Sequence, residues 1–95
     1  MGGQFARREV DEGLYRSRWE RATPSQRKLL RVMGELGGDN PVAIADLATA
    51  MGKRRVSDLS VARNEVLKKG LLYAPERAWL AFTAPGMHNF IARQN

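Results

Sequence analysis

The chain has 95 residues, 43% of them hydrophobic, a formal net charge of +6 and no cysteine. That length fits one domain with a thin core, and the hydrophobic share excludes a disordered chain. The missing thiols exclude disulfides, cysteine zinc sites and cysteine nucleophiles, and no apolar run can cross a bilayer or serve as a secretory signal. A cytoplasmic protein without a membrane partner is the resulting expectation.

The charge is concentrated. Residues 1–21 carry five basic and four acidic groups, and residues 22–52 carry three of each. Residues 53–70 carry six basic and two acidic groups, so four of the six net charges lie there. Residues 71–95 add two basic groups and one acidic. A focused excess of this kind points to a polyanion partner, whereas a diffuse one serves solubility.

In chain order, residues 5–22 have the spacing of an amphipathic helix, with Leu14, Tyr15, Trp19 and Ala22 on one side and Gly13 interrupting it. Residues 1–22 as a whole are expected to form a helix or linker that packs on a domain formed by residues 23–95. Thr23-Pro24-Ser25-Gln26 is a helix start: threonine as N-cap, proline at N1 and glutamine closing a capping box. The helix that follows is expected to bury Leu29, Leu30, Val32, Met33 and Leu36 and to stop at Gly37-Gly38. Asp39-Asn40-Pro41 reads as a turn and Pro41-Val42-Ala43 as a short edge strand. Ile44, Leu47, Ala48 and Met51 repeat at i, i+3, i+4 and i+7, which predicts a short helix ended by Gly52.

Lys53-Arg54-Arg55-Val56 then leads to Ser57, the expected N-cap of a third helix running to Lys69 with Gly70 at its C′ position. On a wheel of about 100° per residue, Leu59, Ala62 and Val66 form the core face. Ser57, Ser60, Val61, Asn64 and Lys68 face outward without an acid among them, and Arg63 and Leu67 flank them. Leu71 to Ala74 and Trp79 to Thr83 predict a β-hairpin whose tip, Pro75-Glu76-Arg77-Ala78, is polar and basic. Period-two alternation with Leu80 and Phe82 inward turns Trp79 out. Pro85-Gly86 breaks the strand, and Met87, Phe90 and Ile91 predict a last short helix.

The expected fold class is mainly α with a small β-hairpin, a winged helix-turn-helix of the α+β type. Its outward helix face suits duplex DNA. Small residues let the backbone approach the major groove, asparagine pairs bidentately with adenine, and a valine methyl meets a thymine methyl. The candidate DNA-binding residues are Lys53, Arg54 and Arg55 on phosphates, Ser57, Ser60 and Asn64 toward base edges, Lys68 beside them and Arg77 on the wing. A solvated helix face beside a basic loop is the plainer alternative. A protein-docking module that never touches DNA is a further one, which Trp79 and Val61 favour.

Catalysis has little to stand on. Gly52-Lys53 resembles the end of a phosphate-binding loop, but Arg54 follows it and Leu47 occupies the first-glycine position. His88 is the only histidine, expected on a solvent-facing helix side, so side chains typical of a metal cluster or a Ser-His-acid triad are missing. The scattered carboxylates suggest surface pairing. No cofactor is expected.

The run Leu14 to Arg27, the segment Lys69-Gly70-Leu71-Leu72-Tyr73-Ala74-Pro75-Glu76 and the segment Ala81-Phe82-Thr83-Ala84-Pro85-Gly86-Met87 resemble the C-terminal winged-helix domain of AAA-type ATPases related to archaeal and bacterial replication initiators. The resemblance covers nearly the whole chain after residue 11. It implies a fragment whose ATP-binding core lies upstream, and a winged helix that binds DNA or docks on that ATPase module. Nucleotide binding carries over to no residue here.

Overall fold

The computed structural model describes residues 13–94. The part of the first expected helix that falls on residues 5–12 lies outside the described residues. Within them, α1 covers residues 13–21. It is followed by α2 (Pro24–Gly37), β1 (Val42–Ala43), α3 (Ile44–Ala50), a 3₁₀ turn (Val56–Leu59), α4 (Ser60–Lys68), β2 (Leu72–Tyr73), β3 (Trp79–Phe82) and α5 (Met87–Ala92). The chain is therefore mainly helical with a small antiparallel sheet, an α+β arrangement.

The capping box at Thr23 forms as its residue types require. Gln26 N–H donates to Thr23 Oγ1 at 3.3 Å, and Thr23 N–H donates to Gln26 Oε1 at 3.1 Å. Gln26 is also buried, and its Oε1 accepts a second bond from Lys69 Nζ at 2.8 Å. Lys69 Nζ donates further to the Arg21 carbonyl at 2.7 Å. One ammonium thus ties the end of α1, the start of α2 and the end of α4 together.

Helix α2 buries Leu29, Leu30 and Met33, as its spacing predicts, while Val32 is half-buried. Leu36 departs from expectation and stays 45% exposed. It sits in the last turn of α2, where Val42 and His88 cover the neighbouring glycines and not the leucine side chain. Trp19 in α1 and Ala22 just after it join the core, but Leu14 faces solvent. Arg27 and Arg31 place their guanidinium carbons 5.2 and 5.3 Å from the centroid of the Trp19 ring, a cation–π arrangement that spends two arginines of α2 on packing. Tyr15 donates its hydroxyl to the Pro85 carbonyl and stacks tilted on Phe90 at 5.9 Å, so α1 leans on α2 and on the entry to α5.

The sheet has the order β1-β3-β2, with Val42 opposite Leu80 and Ala43 opposite Trp79 on one side, and Leu72 opposite Phe82 and Tyr73 opposite Ala81 on the other. β1 is an edge strand, as expected. The alternation in β3 holds for exposed Trp79 and buried Leu80, then fails at Ala81, which is also buried. Ala81 lies in the central strand, and its methyl leaves little surface to expose. The hairpin strands are shorter than their apolar runs suggest. Ala78, in the connecting loop, takes a left-handed φ of +67° while its carbonyl accepts the Ile44 N–H at 2.9 Å. That bond fixes the hairpin loop to the start of α3.

Met87, Phe90 and Ile91 bury one side of α5. His88 is partly exposed, and it has a partner that its spacing did not reveal: its Nδ1 lies 2.9 Å from Asp39 Oδ1, which also accepts the Gly86 N–H at 3.0 Å. Asp39 therefore pins the start of α5 to the turn after α2. No helix among the described residues is long and apolar enough to cross a membrane.

Candidate nucleic-acid interface

The basic loop begins where α3 is stopped. Gly52 adopts φ +74°, donates to the Thr49 carbonyl at 3.0 Å and lets Lys53 N–H reach the Ala48 carbonyl at 2.8 Å. This is a Schellman motif, which needs a left-handed residue at Gly52. It anchors the backbone of Lys53 and leaves the side chains of Lys53, Arg54 and Arg55 exposed. Beneath them, Ile44, Leu47 and Ala48 hold α3 in the core.

Arg55 is extended, and the chain then enters the 3₁₀ turn before α4. Ser57 is therefore not the N-cap of α4, which starts two residues later than expected, at Ser60. Leu59 is the N-cap residue of α4 and supplies no side-chain bond, while Asp58 closes the 3₁₀ turn: its Oδ2 accepts the Arg55 N–H at 3.2 Å, and its own N–H donates to the Arg55 carbonyl at 3.0 Å. Cap preference favours Ser57 over an apolar residue, but the reverse bond from Asp58 to Arg55 holds residues 56–59 in a 3₁₀ turn and moves the start of α4 past both. Leu59 is buried and fixes the turn against the core. The correction has an electrostatic consequence, because an exposed carboxylate now lies within the basic stretch that the wheel reading made free of acid.

Along α4 the predicted facing survives. Val66 is fully buried and Ala62 half-buried, while Ser60, Val61, Asn64 and Lys68 are exposed. Val61 is 78% exposed, an apolar side chain that no core contact explains. Arg63 on the flank donates from Nη1 to Asn64 Oδ1 at 3.2 Å, which orients the amide and leaves its NH₂ group outward. Lys69, by contrast, is the internal strut described above and does not belong to the outward charge. A second Schellman motif ends α4: Gly70 at φ +75° donates to Leu67, and Leu71 N–H reaches the Val66 carbonyl.

Lys53, Arg54, Arg55, Ser57, Ser60, Asn64 and Lys68 thus form one exposed stretch of turn and helix. Arg77 is exposed on the hairpin loop next to Glu76, and no hydrogen bond or ion pair among the described residues joins it to that stretch. Local residue types did not single out Arg63, whose contact with Asn64 makes it part of the same surface. Among the described residues, no group of three or more His, Asp or Glu is placed to hold a metal ion.

The family model described as "Domain of unknown function (DUF8462)" matches residues 12–91. The chain belongs to that family. No curated protein and no solved structure matches the chain. The DUF8462 match takes in α2, the sheet and the whole candidate stretch from Lys53 to Lys68, together with Arg77.

Proposed function

We propose that this chain is a winged helix-turn-helix domain that binds duplex DNA. The observation that carries the reading is the exposed run Lys53-Arg54-Arg55, set directly before a helix whose outward side chains are Ser60, Val61, Asn64 and Lys68. In this arrangement the basic loop meets phosphates, where counterion release supplies most of the affinity. Helix α4 enters the major groove, with Ser57 and Ser60 close to its leading end and Asn64 one turn further on, its free NH₂ group toward an acceptor on a base edge. Lys68 closes on the backbone at the far end.

Supporting the wing is the chain order: α3, turn and α4 are followed at once by the β2–β3 hairpin, and β1 completes the sheet. Arg77 on the hairpin loop then reaches a minor groove or a phosphate. The resemblance to AAA-type ATPases fits the same assignment, with a nucleotide-binding module as the domain's neighbour.

The direct test is an amide-shift titration of the ¹⁵N-labelled chain with a random-sequence duplex at low salt. The reading predicts the largest shifts at residues 53–57, 60, 61, 64 and 77. Shifts confined to other surfaces, or none at all, would refute it.

A further inference from the structure

A second surface has the opposite character. Leu36, in the last turn of α2, is 45% exposed, and Trp79, at the start of β3, is 40% exposed. Both open onto one depression, whose walls include Pro41, Ala43, Ala50 and the carboxylate-bearing Asp46. An adjoining depression is lined by Pro41, Pro75, Glu76 and Trp79. Pro41 and Trp79 belong to both, so the two form a continuous groove from α2 and α3 to the hairpin loop.

The groove's charged residues are Asp46 and Glu76, both acidic and exposed, in a chain of net charge +6. No lysine or arginine lines it. An apolar floor between two carboxylates repels nucleic acid and anionic lipid alike and favours a basic, apolar occupant. The adjacent edge strand, β1, has only two residues and follows Pro41, which lacks an N–H. Strand addition along that edge therefore gains little, and side chains must supply the binding.

From this geometry we infer that the groove docks a short segment of a partner protein, with one aromatic or leucine side chain against Leu36 and Trp79 and a lysine or arginine on either flank. The apolar anchor displaces water from the exposed indole and leucine, as buried anchors do at the centre of small interfaces. The flanking cations meet Asp46 and Glu76 and set the direction in which the segment lies. This inference is independent of the DNA reading, because it uses neither residues 53–68 nor Arg77.

The test is selection of a displayed library of random dodecapeptides on the immobilised full chain. Three proteins are compared: wild type, Leu36→Lys and Asp46→Lys. Both replaced positions are exposed, and melting curves and far-ultraviolet circular dichroism like those of the wild type verify that each variant is folded. The wild type should enrich peptides with an aromatic residue or leucine close to lysine or arginine. Leu36→Lys should lower the affinity of the selected peptides at least tenfold, and Asp46→Lys should shift the flanking preference from basic toward acidic residues. No enrichment over a bare surface would overturn the inference. So would a preference for acidic peptides on the wild type, or enrichment indifferent to both substitutions. Concentration-dependent self-association abolished by Leu36→Lys, without peptide enrichment, would assign the groove to a second copy of the chain and equally overturn it.

Discussion

Replacing Gln26 by alanine tests the contact on which three helices converge. Its Oε1 accepts the Thr23 N–H at 3.1 Å and one Lys69 N–H at 2.8 Å, and the side chain is buried. The substitution deletes a capping bond worth about 1 kcal/mol. It also deletes a charge-assisted bond worth about 1.5–3 kcal/mol when fully enclosed. Lys69 is partly exposed and keeps its bond to the Arg21 carbonyl, so that second contribution is nearer 1 kcal/mol after solvent screening. The one buried methylene that is lost adds about 0.8 kcal/mol. Gln26→Ala should therefore destabilise by roughly 2–3 kcal/mol, a sizeable part of the stability of a small domain. Lys69→Met, which keeps most of the alkyl stem, should cost about 1–2 kcal/mol. Urea unfolding of the two single variants and the double variant closes a thermodynamic cycle. A coupling of about 1 kcal/mol is expected, and additivity within about 0.3 kcal/mol would show that the two side chains do not support each other.

Three further outcomes follow from the same structure. Leu47→Ala should lower stability by roughly 2–5 kcal/mol in the same unfolding assay, because a fully buried leucine anchors a helix of seven residues. Asp58→Asn keeps an oxygen to accept the Arg55 N–H but removes the only acid in the turn before α4. Fluorescence anisotropy should show tighter binding to every duplex with an unchanged melting temperature, and weaker binding would place Asp58 against a base or cation instead of phosphate. Asn64→Ala should lose about 1–3 kcal/mol of discrimination for a preferred site in a competition titration. Equal losses on preferred and random duplexes would mean that Asn64 reads no base.

What could be read from residue types alone was whatever depends on near neighbours. The Thr23–Gln26 capping box, the glycine stops at Gly52 and Gly70, and the buried faces of α3 and α5 all depend on residues within a few positions of each other. Exposure of the 53–55 loop was equally legible, because three consecutive cations cannot be buried without partners. Features that depend on distant parts of the chain were not. The bond from Lys69 to Gln26 spans 43 positions and the His88–Asp39 pair spans 49. Neither leaves a periodic trace. Leu36 has the spacing of a core residue, but whether the last turn of a helix is covered depends on what packs there. At the start of α4 the cap preference of Ser57 gave way to a 3₁₀ turn closed by Asp58, whose exposed carboxylate lies within the candidate interface.

In the proposed complex the loop before α4 holds phosphate. Duplex affinity measured against salt concentration tests it most directly. If Lys53, Arg54, Arg55 and Lys68 each neutralise one phosphate, the logarithm of affinity should fall against the logarithm of salt with a slope of about −3.6, at about 0.9 per contact. Replacing Arg54 and Arg55 together by glutamine should flatten that slope by about 1.8, to a similar extent on every duplex tested. A wild-type chain that binds no duplex at low salt, or a double variant with an unchanged slope, would contradict the claim.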